Sequence, residues 1–325
     1  MKAINILQNE QENKKRLGKQ ARKAAFAAIL GVCLMFLFQI IASFGFAIAT
    51  RIFPILSSGI YSKCAEIVMY VFYIALPFLI AKLILNFINK PADFIVKRPS
   101  VKKPIFFIFG AIGIGYFVNM VMNLLFAPFM EDFSADLGIQ AETPIEVILC
   151  FVLYAVLPAI LEEWAFRGVL LKNLLPFGKW GAIIISSVLF GIAHVDPPRI
   201  IFASIFGALL AICYEHTRSL RIPIIIHFLN NSISVAGTLA PIESPFALVL
   251  SLIIFAIMGV GIGAAIYYCK KGVKKQIVSL NKPYSIGQKL TAGEFVTKAV
   301  LNYGMLFLIP LYAFFFYLYF FAVNI

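Results

Sequence analysis

The chain has 325 residues, of which 62% are hydrophobic and only 13% are charged, and its mean hydropathy is +0.93. Soluble proteins are nearer about 45–50% apolar and about 25% charged, so this composition excludes an ordinary soluble domain and predicts an all-α, polytopic helical membrane protein. The formal net charge of +13 does not indicate nucleic-acid binding, because the basic residues lie in loops between apolar segments. That pattern indicates positive-inside topology and contact with anionic membrane lipids.

The first 140 residues predict a polar tail and three membrane helices. Residues 1–23 carry seven Lys or Arg against two Glu, which is typical of a cytosolic amphipathic or disordered tail. Three apolar runs of about 20 residues, the length that a span requires, follow at 24–49, 67–88 and 105–129. The loop at 90–103 is basic and the loop at 131–146 is acidic. We therefore expect the first loop in the cytosol and the second outside.

The rest of the chain predicts about six more crossings, for a total of about eight to nine transmembrane helices with the N-terminus in the cytosol of a multi-pass cell-membrane protein. One of these crossings is expected at Gly181–His194. The predicted organisation is a tail (1–23), N-terminal helices (24–140), a central region (141–240) and C-terminal helices (241–325) with a basic cytosolic loop at 270–298.

Two adjacent glutamates and an arginine lie within the apolar stretch Leu161–Leu171. An ionised side chain in hydrocarbon costs at least about 2.5–3.5 kcal/mol, so three within six residues predict a wet protein interior. In a helix, Glu163 and Arg167 lie at i and i+4 and can pair, whereas Glu162 is rotated by roughly 100°. The spacing predicts one carboxylate for structure and one for chemistry.

Two of the three histidines also lie inside apolar segments. His194 follows Phe190 by one turn, and His227 precedes Asn231 by one turn on a later helix. Each alone is typical of a helix–helix contact. Burying a polar side chain in a membrane segment costs free energy, and six such groups lie on neighbouring segments. Together they instead predict one shared site. The candidate catalytic residues are Glu162, Glu163, Arg167, His194, His227 and Asn231.

This set of side chains fits the hydrolysis of an amide by water. A carboxylate can take a proton from water and return it to the leaving amine, while an imidazole and an amide stabilise the oxyanion. A nucleophilic side chain has little support, because the sequence contains no G-x-S-x-G and no H-E-x-x-H. Two alternatives stay open for the water. Either hydrogen bonds alone hold it, or a divalent metal such as zinc does, bound by Glu162, His194 and His227.

The order of these motifs resembles the CAAX prenyl protease and bacteriocin-processing (CPBP, or Abi) family of intramembrane endopeptidases. The matching motifs are Glu-Glu-x-x-x-Arg at 162–167, Phe-x-x-x-His at 190–194 and His-x-x-x-Asn at 227–231. The resemblance covers roughly residues 145–240 and implies a CAAX-protease-like catalytic core at 141–240. It further implies that Glu162 activates water with help from His194, that His227 and Asn231 form the oxyanion site, and that Glu163 and Arg167 support them.

The resemblance implies a peptide or protein substrate, lipidated or membrane-associated, and an activity like that of a type II CAAX prenyl endopeptidase, labelled in this family as a metallopeptidase. Two other functions remain open: a non-catalytic immunity or scaffold protein that keeps the motifs for folding, and a proton-coupled transporter. One geometric difficulty stands against a shared site. If the segment before His194 crosses the membrane, His194 lies about 21 Å beyond its start at Trp180, far from the depth expected for Glu162.

Overall fold

The structure is a computed structural model and describes residues 2–88, 104–126, 139–241, 243–271 and 289–318. Within these ranges the regular elements are all helices, and no strand occurs. The helices are α1 (Lys2–Ile52), α2 (Gly59–Ile88), α3 (Ile105–Phe126), α4 (Pro144–Leu174), α5 (Lys179–Ile192), α6 (Pro197–Thr217), α7 (Arg221–Leu239), α8 (Pro245–Lys271), α9 (Ala292–Val300) and α10 (Met305–Tyr317).

The predicted all-α membrane architecture is confirmed. Among the described residues, seven helices are long and apolar enough to cross a membrane, and the bent pair α9 and α10 makes eight if it is one span. Helix α5 is different, because its 14 residues reach only about 21 Å at 1.5 Å per residue. That is short of the roughly 30 Å hydrocarbon core, so the predicted full crossing at Gly181–His194 is wrong.

Helix α1 combines the polar N-terminal segment and the first apolar run in one helix of 51 residues. Its polar part contacts the C-terminal helices: Lys14 pairs with Glu294 at 2.7 Å, and Arg22 donates to the carbonyl of Leu301 at 3.0 Å. In return, Asn302 donates to the carbonyl of Arg22 at 2.7 Å. The two ends of the chain are therefore joined at this edge of the helical bundle.

Several predicted loops fall where the structure gives no description. The basic loop at 90–103, the first part of the acidic loop at 131–138 and most of the basic loop at 272–288 lie outside the described residues. Their assignment to the cytosol or the outside stays a prediction.

Helix α4 carries both glutamates and has two wide π-helical segments, Val152–Val156 and Glu163–Leu171. The first segment ends two residues before Pro158, which has no N–H to give to the helix. The helix begins with a cap in which the side chain of Thr143 accepts from the backbone N–H of Glu146 at 3.3 Å. π-Helical turns are rare overall, but those that occur often lie at functional sites. Helix α4 therefore has unusual geometry where its charged residues lie.

Glycines allow α3 to pack closely against its neighbours. A Cβ atom added at Gly113 would lie 2.6 Å from the Cα of Gly261 on α8, and one added at Gly115 would lie 3.1 Å from the ring of Phe206 on α6. Real Cβ atoms do not approach a backbone carbon so closely, so a side chain at Gly113 would force α3 and α8 apart. These contacts fix one wall of the region described next.

Candidate active site

A buried cluster of three ionisable side chains joins α4 to α7. Arg167 Nη1 donates to Glu163 Oε1 at 2.6 Å, which confirms the predicted pairing of these residues along one helix. His227 Nδ1 lies 2.9 Å from the same oxygen and donates to it, since a carboxylate can only accept. The side chains are almost completely excluded from solvent. Glu163 therefore holds the ring of His227 in one orientation, with Nε2 on the opposite side.

The guanidinium of Arg167 is fixed by two further contacts. Its Nη2 donates to the carbonyl of Gly207 on α6 at 3.0 Å, and its central carbon lies 4.4 Å from the centre of the Phe190 ring. A Cβ atom at Gly207 would come within 3.3 Å of Nη2 and 2.9 Å of that ring. Only glycine leaves room for this approach. The cluster thus connects α4, α5, α6 and α7 through one cation and one aromatic ring.

Glu162 faces a different side of α4 and has a different partner. The hydroxyl of Tyr70 on α2 donates to Glu162 Oε1 at 2.6 Å. The other carboxylate oxygen, Oε2, is buried and has no hydrogen-bond partner among the described residues; it lies 3.9 Å from His227 Nε2. One oxygen of Glu162 is thus anchored and the other is available. Glu163 Oε2 is likewise buried without a partner among the described residues, but only Glu162 lines the cavity described below.

His194 lies just after the end of α5 and has a defined orientation. Its Nδ1 is 2.9 Å from the carbonyl of Phe190 and donates to it, so Nε2 is the accepting nitrogen of the neutral ring. The next residue, Val195, has φ of +62°, a left-handed conformation that is uncommon for a β-branched residue. Tyr312 on α10 donates to the carbonyl of Val195 at 2.7 Å. The C-terminal helix therefore supports the strained turn that directs His194.

Four of the six predicted residues surround one cavity of about 400 Å³, here called the α1–α2 cavity. Its lining comprises Gln39, Ala42, Ser43, Glu66, Met69, Tyr70, Tyr73, Leu153, Tyr154, Pro158, Glu162, His194, His227 and Asn231. The amide of Asn231 donates to the carbonyl of Tyr154 at 3.2 Å. Glu163 and Arg167 lie behind this cavity and hold His227.

The short α5 removes the difficulty of depth. Because α5 ends within the thickness of the bundle, His194 reaches the same cavity as Glu162 without a strong tilt of a full span. Asp196, two residues later, is only 3% exposed. The turn after α5 is folded into the protein, where Arg199 lies 3.2 Å from the Asp196 carboxylate.

Three tyrosines near the site are not indicated by the sequence. Tyr70 anchors Glu162, Tyr154 supplies the carbonyl that binds Asn231, and Tyr312 supports the turn after His194. Tyrosine is frequent at membrane interfaces, and the chain has 13 tyrosines. The presence of a tyrosine in an apolar segment therefore does not mark it as part of a site. Only the pairing of distant helices identifies them.

The residues do not fit a three-ligand metal site as they are placed. Carboxylate and imidazole are suitable zinc ligands. However, among the residues that the structure describes, no three His, Cys, Asp or Glu side chains are grouped so that they could hold one ion. Any ion would have to bind through Glu162 Oε2 and Nε2 of His194 and His227, because Oε1 of Glu162 and Nδ1 of both histidines are already engaged in hydrogen bonds.

Comparison with known proteins places these residues in a family. Residues 144–233, which include all six predicted residues, match the family described as type II CAAX prenyl endopeptidase Rce1-like. The chain is 30% identical over 115 residues to the putative membrane peptidase YdiL of Bacillus subtilis, and 26% identical over 185 residues to the membrane-embedded CAAX protease MroQ of Staphylococcus aureus. These matches support the resemblance to the CPBP family that the motifs indicate.

The family match lies in the central helices, at residues 144–233. The alignment with YdiL covers 35% of this chain and 46% of the relative, so it spans about half of that protein's length. The alignment with MroQ covers 51% of this chain and 73% of the relative. No solved structure gives a significant match. The CPBP match at 144–233 leaves out Tyr70 and Tyr312, so two supports of the site come from outside the matched residues.

Proposed function

We propose that this chain is an intramembrane endopeptidase in which Glu162 activates water for attack on a peptide bond. The observation that carries the proposal is the placement of Glu162. One of its carboxylate oxygens is anchored by Tyr70, and the other is buried, has no partner among the described residues, and lines a cavity together with His194 and His227. A general base needs an available oxygen beside the space where water and substrate meet.

In the proposed reaction, Glu162 Oε2 takes one proton from water while the water oxygen bonds to the carbonyl carbon of the substrate. His194 Nε2, which is an acceptor in the neutral ring, orients the water through its second hydrogen. The tetrahedral intermediate then loses its C–N bond, and Glu162 gives its proton to the leaving amine. The products are a carboxylic acid and an amine, and Glu162 is again a carboxylate.

The orientation of His227 favours it as the oxyanion donor. Glu163, which also pairs with Arg167, accepts from His227 Nδ1, so the ring presents Nε2 to the cavity. In the proposed reaction an Nε2–H at this position donates to the oxyanion. Asn231 has a second amide hydrogen beyond the one given to Tyr154. Each such donor is worth about 10²–10³ in rate in other hydrolases.

The proposed mechanism has no metal step, and this leads to a direct prediction. Proteolysis by the purified protein should persist after dialysis against EDTA or 1,10-phenanthroline, because the described donors do not form a metal site. Cleavage rates are measured before and after chelation, with a known zinc protease treated in parallel. Loss of activity that zinc restores would contradict the mechanism.

The proposed activity is tested by comparing the termini of membrane proteins in cells with and without the chain. A peptidase is expected to produce new termini, and the affected protein identifies the substrate. We expect a peptide or protein substrate within or beside the membrane, lipidated or not, and a cytosolic N-terminus because residues 1–23 are basic. Identical termini under conditions where the chain is present in the membrane would contradict the proposal.

Tyr70→Phe should lower kcat with little change in KM. The substitution removes the hydroxyl that fixes Glu162 Oε1, so the base keeps its charge but loses its orientation. A hydrogen bond to a charged group is worth about 1.5–3 kcal/mol, which corresponds to roughly 10- to 100-fold in rate. Tyr61→Phe, at an exposed position of the same helix, is the matched control. An equal decrease in both variants would show that Tyr70 acts only through the stability of α2.

A further inference from the structure

A second cavity meets the candidate active site from the other side. This α3–α7 cavity has a volume of about 520 Å³ and lies between α3, α6, α7 and α8. It shares three lining residues with the α1–α2 cavity, namely Tyr154, His194 and Asn231. His194 and Asn231 therefore stand between the two spaces, and Glu162 lines the α1–α2 cavity beside them.

The wall of the α3–α7 cavity contains polar groups that the protein itself does not use. Asn119 lies half-buried in the apolar helix α3, lines this cavity, and has no hydrogen-bond partner among the described residues. The hydroxyl of Ser234 on α7 also lines it without a partner in the described ranges. A polar group in a membrane helix is unfavourable unless it is hydrogen-bonded, so an unpaired amide facing a cavity indicates a polar ligand.

From this we infer that the substrate crosses the site as an extended polypeptide. The substrate residues on one side of the cleaved bond lie in the α1–α2 cavity, and the substrate residues on the other side lie in the α3–α7 cavity. The inference rests on the proposed function and specifies its substrate as an internal polypeptide segment. Asn119 acts as a specificity-determining residue that binds the backbone of the segment in the α3–α7 cavity.

The size and polarity of the α3–α7 cavity suit a peptide better than a hydrocarbon chain. A space of this volume is about 8 Å across, enough for roughly two or three extended residues at about 3.3 Å each. Peptide backbone offers a donor and an acceptor at almost every residue, which an asparagine amide can match. A prenyl or acyl chain has neither and would leave the Asn119 amide unpaired.

The test uses synthetic peptides that contain the cleavage site found by terminal analysis. One peptide extends on both sides of the cut, and two others are shortened on one side or the other. Wild type, Asn119→Leu and Asn123→Leu are compared in detergent. Asn123 is the matched control, because it is one turn further along α3 and is exposed. It shares a neighbouring groove with Asn119 but does not line the α3–α7 cavity, so the comparison isolates the contribution of that cavity. If Asn119→Leu does not accumulate in the membrane, Ser234→Ala, at an exposed position on the facing wall of the same cavity, replaces it in the comparison.

We expect Asn119→Leu to lower kcat/KM for the long peptide by roughly 3- to 10-fold through KM, the effect of one hydrogen bond, with Asn123→Leu unchanged. For one shortened peptide the Asn119→Leu effect should disappear, because the segment that contacts Asn119 is absent. Equal effects at both asparagines, or faster cleavage by Asn119→Leu, would overturn the inference alone; the faster rate would indicate an apolar occupant. Absence of cleavage of every peptide by wild type would overturn the proposed function as well.

Discussion

Glu162→Gln is expected to reduce proteolysis by about 10²–10⁴-fold while the protein still accumulates in membranes. Glutamine has nearly the same shape and keeps an oxygen that can accept from the Tyr70 hydroxyl. It replaces the available oxygen with an NH₂ group, which cannot take a proton from water. The loss should therefore appear in kcat, since the change does not narrow either cavity.

The measurement is cleavage of the identified peptide by purified protein, together with the amount of protein in the membrane. Glu12→Gln is a suitable control, because Glu12 is exposed near the start of α1. Full proteolysis by Glu162→Gln would refute the assignment of the base. Full biological function of the variant without any cleavage would instead favour the non-catalytic scaffold or immunity role.

Interactions within one helix were predictable from the sequence, and so was the general membrane architecture. Glu163 and Arg167 meet because residues four apart share a helix face, even across the wide π-helical segment that contains them. The apolar runs locate most helices because their length is set by the thickness of the hydrocarbon core. Both arguments depend only on local spacing.

The route by which His194 reaches the site was not predictable in the same way. Hydropathy identifies the segment at Gly181–His194 as apolar, but it does not distinguish a full span from a short helix that ends inside the protein. The structure has a 14-residue helix followed by a left-handed Val195 and a buried Asp196. The turn is stabilised by α10, which lies more than 100 residues later in the chain.

Tyr70 shows a second limit of local patterns. It is 92 positions from Glu162, on a helix whose apolar composition carries no motif. The hydrogen bond exists because α2 packs against α4, and a single sequence contains no information on that register. The same reason applies to Asn119, whose importance depends on which cavity it faces.

Arg167→Met is the second substitution with a large expected effect, and it acts on stability. Methionine removes the cation that pairs with buried Glu163 and leaves the carboxylate with His227 alone. Removing one partner of a buried ion pair costs about 3–5 kcal/mol, because an uncompensated charge stays in the interior. The contacts to Gly207 and Phe190 are lost as well. We expect a lower unfolding midpoint in detergent and less protein in the membrane.

A double substitution separates this charge effect from loss of packing. In Glu163→Gln with Arg167→Met, the unpaired carboxylate is gone and the glutamine oxygen can still accept from His227 Nδ1. The double variant should therefore be more stable than Arg167→Met alone, a coupling that a double-mutant cycle measures directly. Arg221→Met, at the exposed first residue of α7, should change the free energy of unfolding by less than about 0.5 kcal/mol. If the double variant were no more stable than Arg167→Met, Arg167 would act by filling space between four helices rather than by neutralising Glu163.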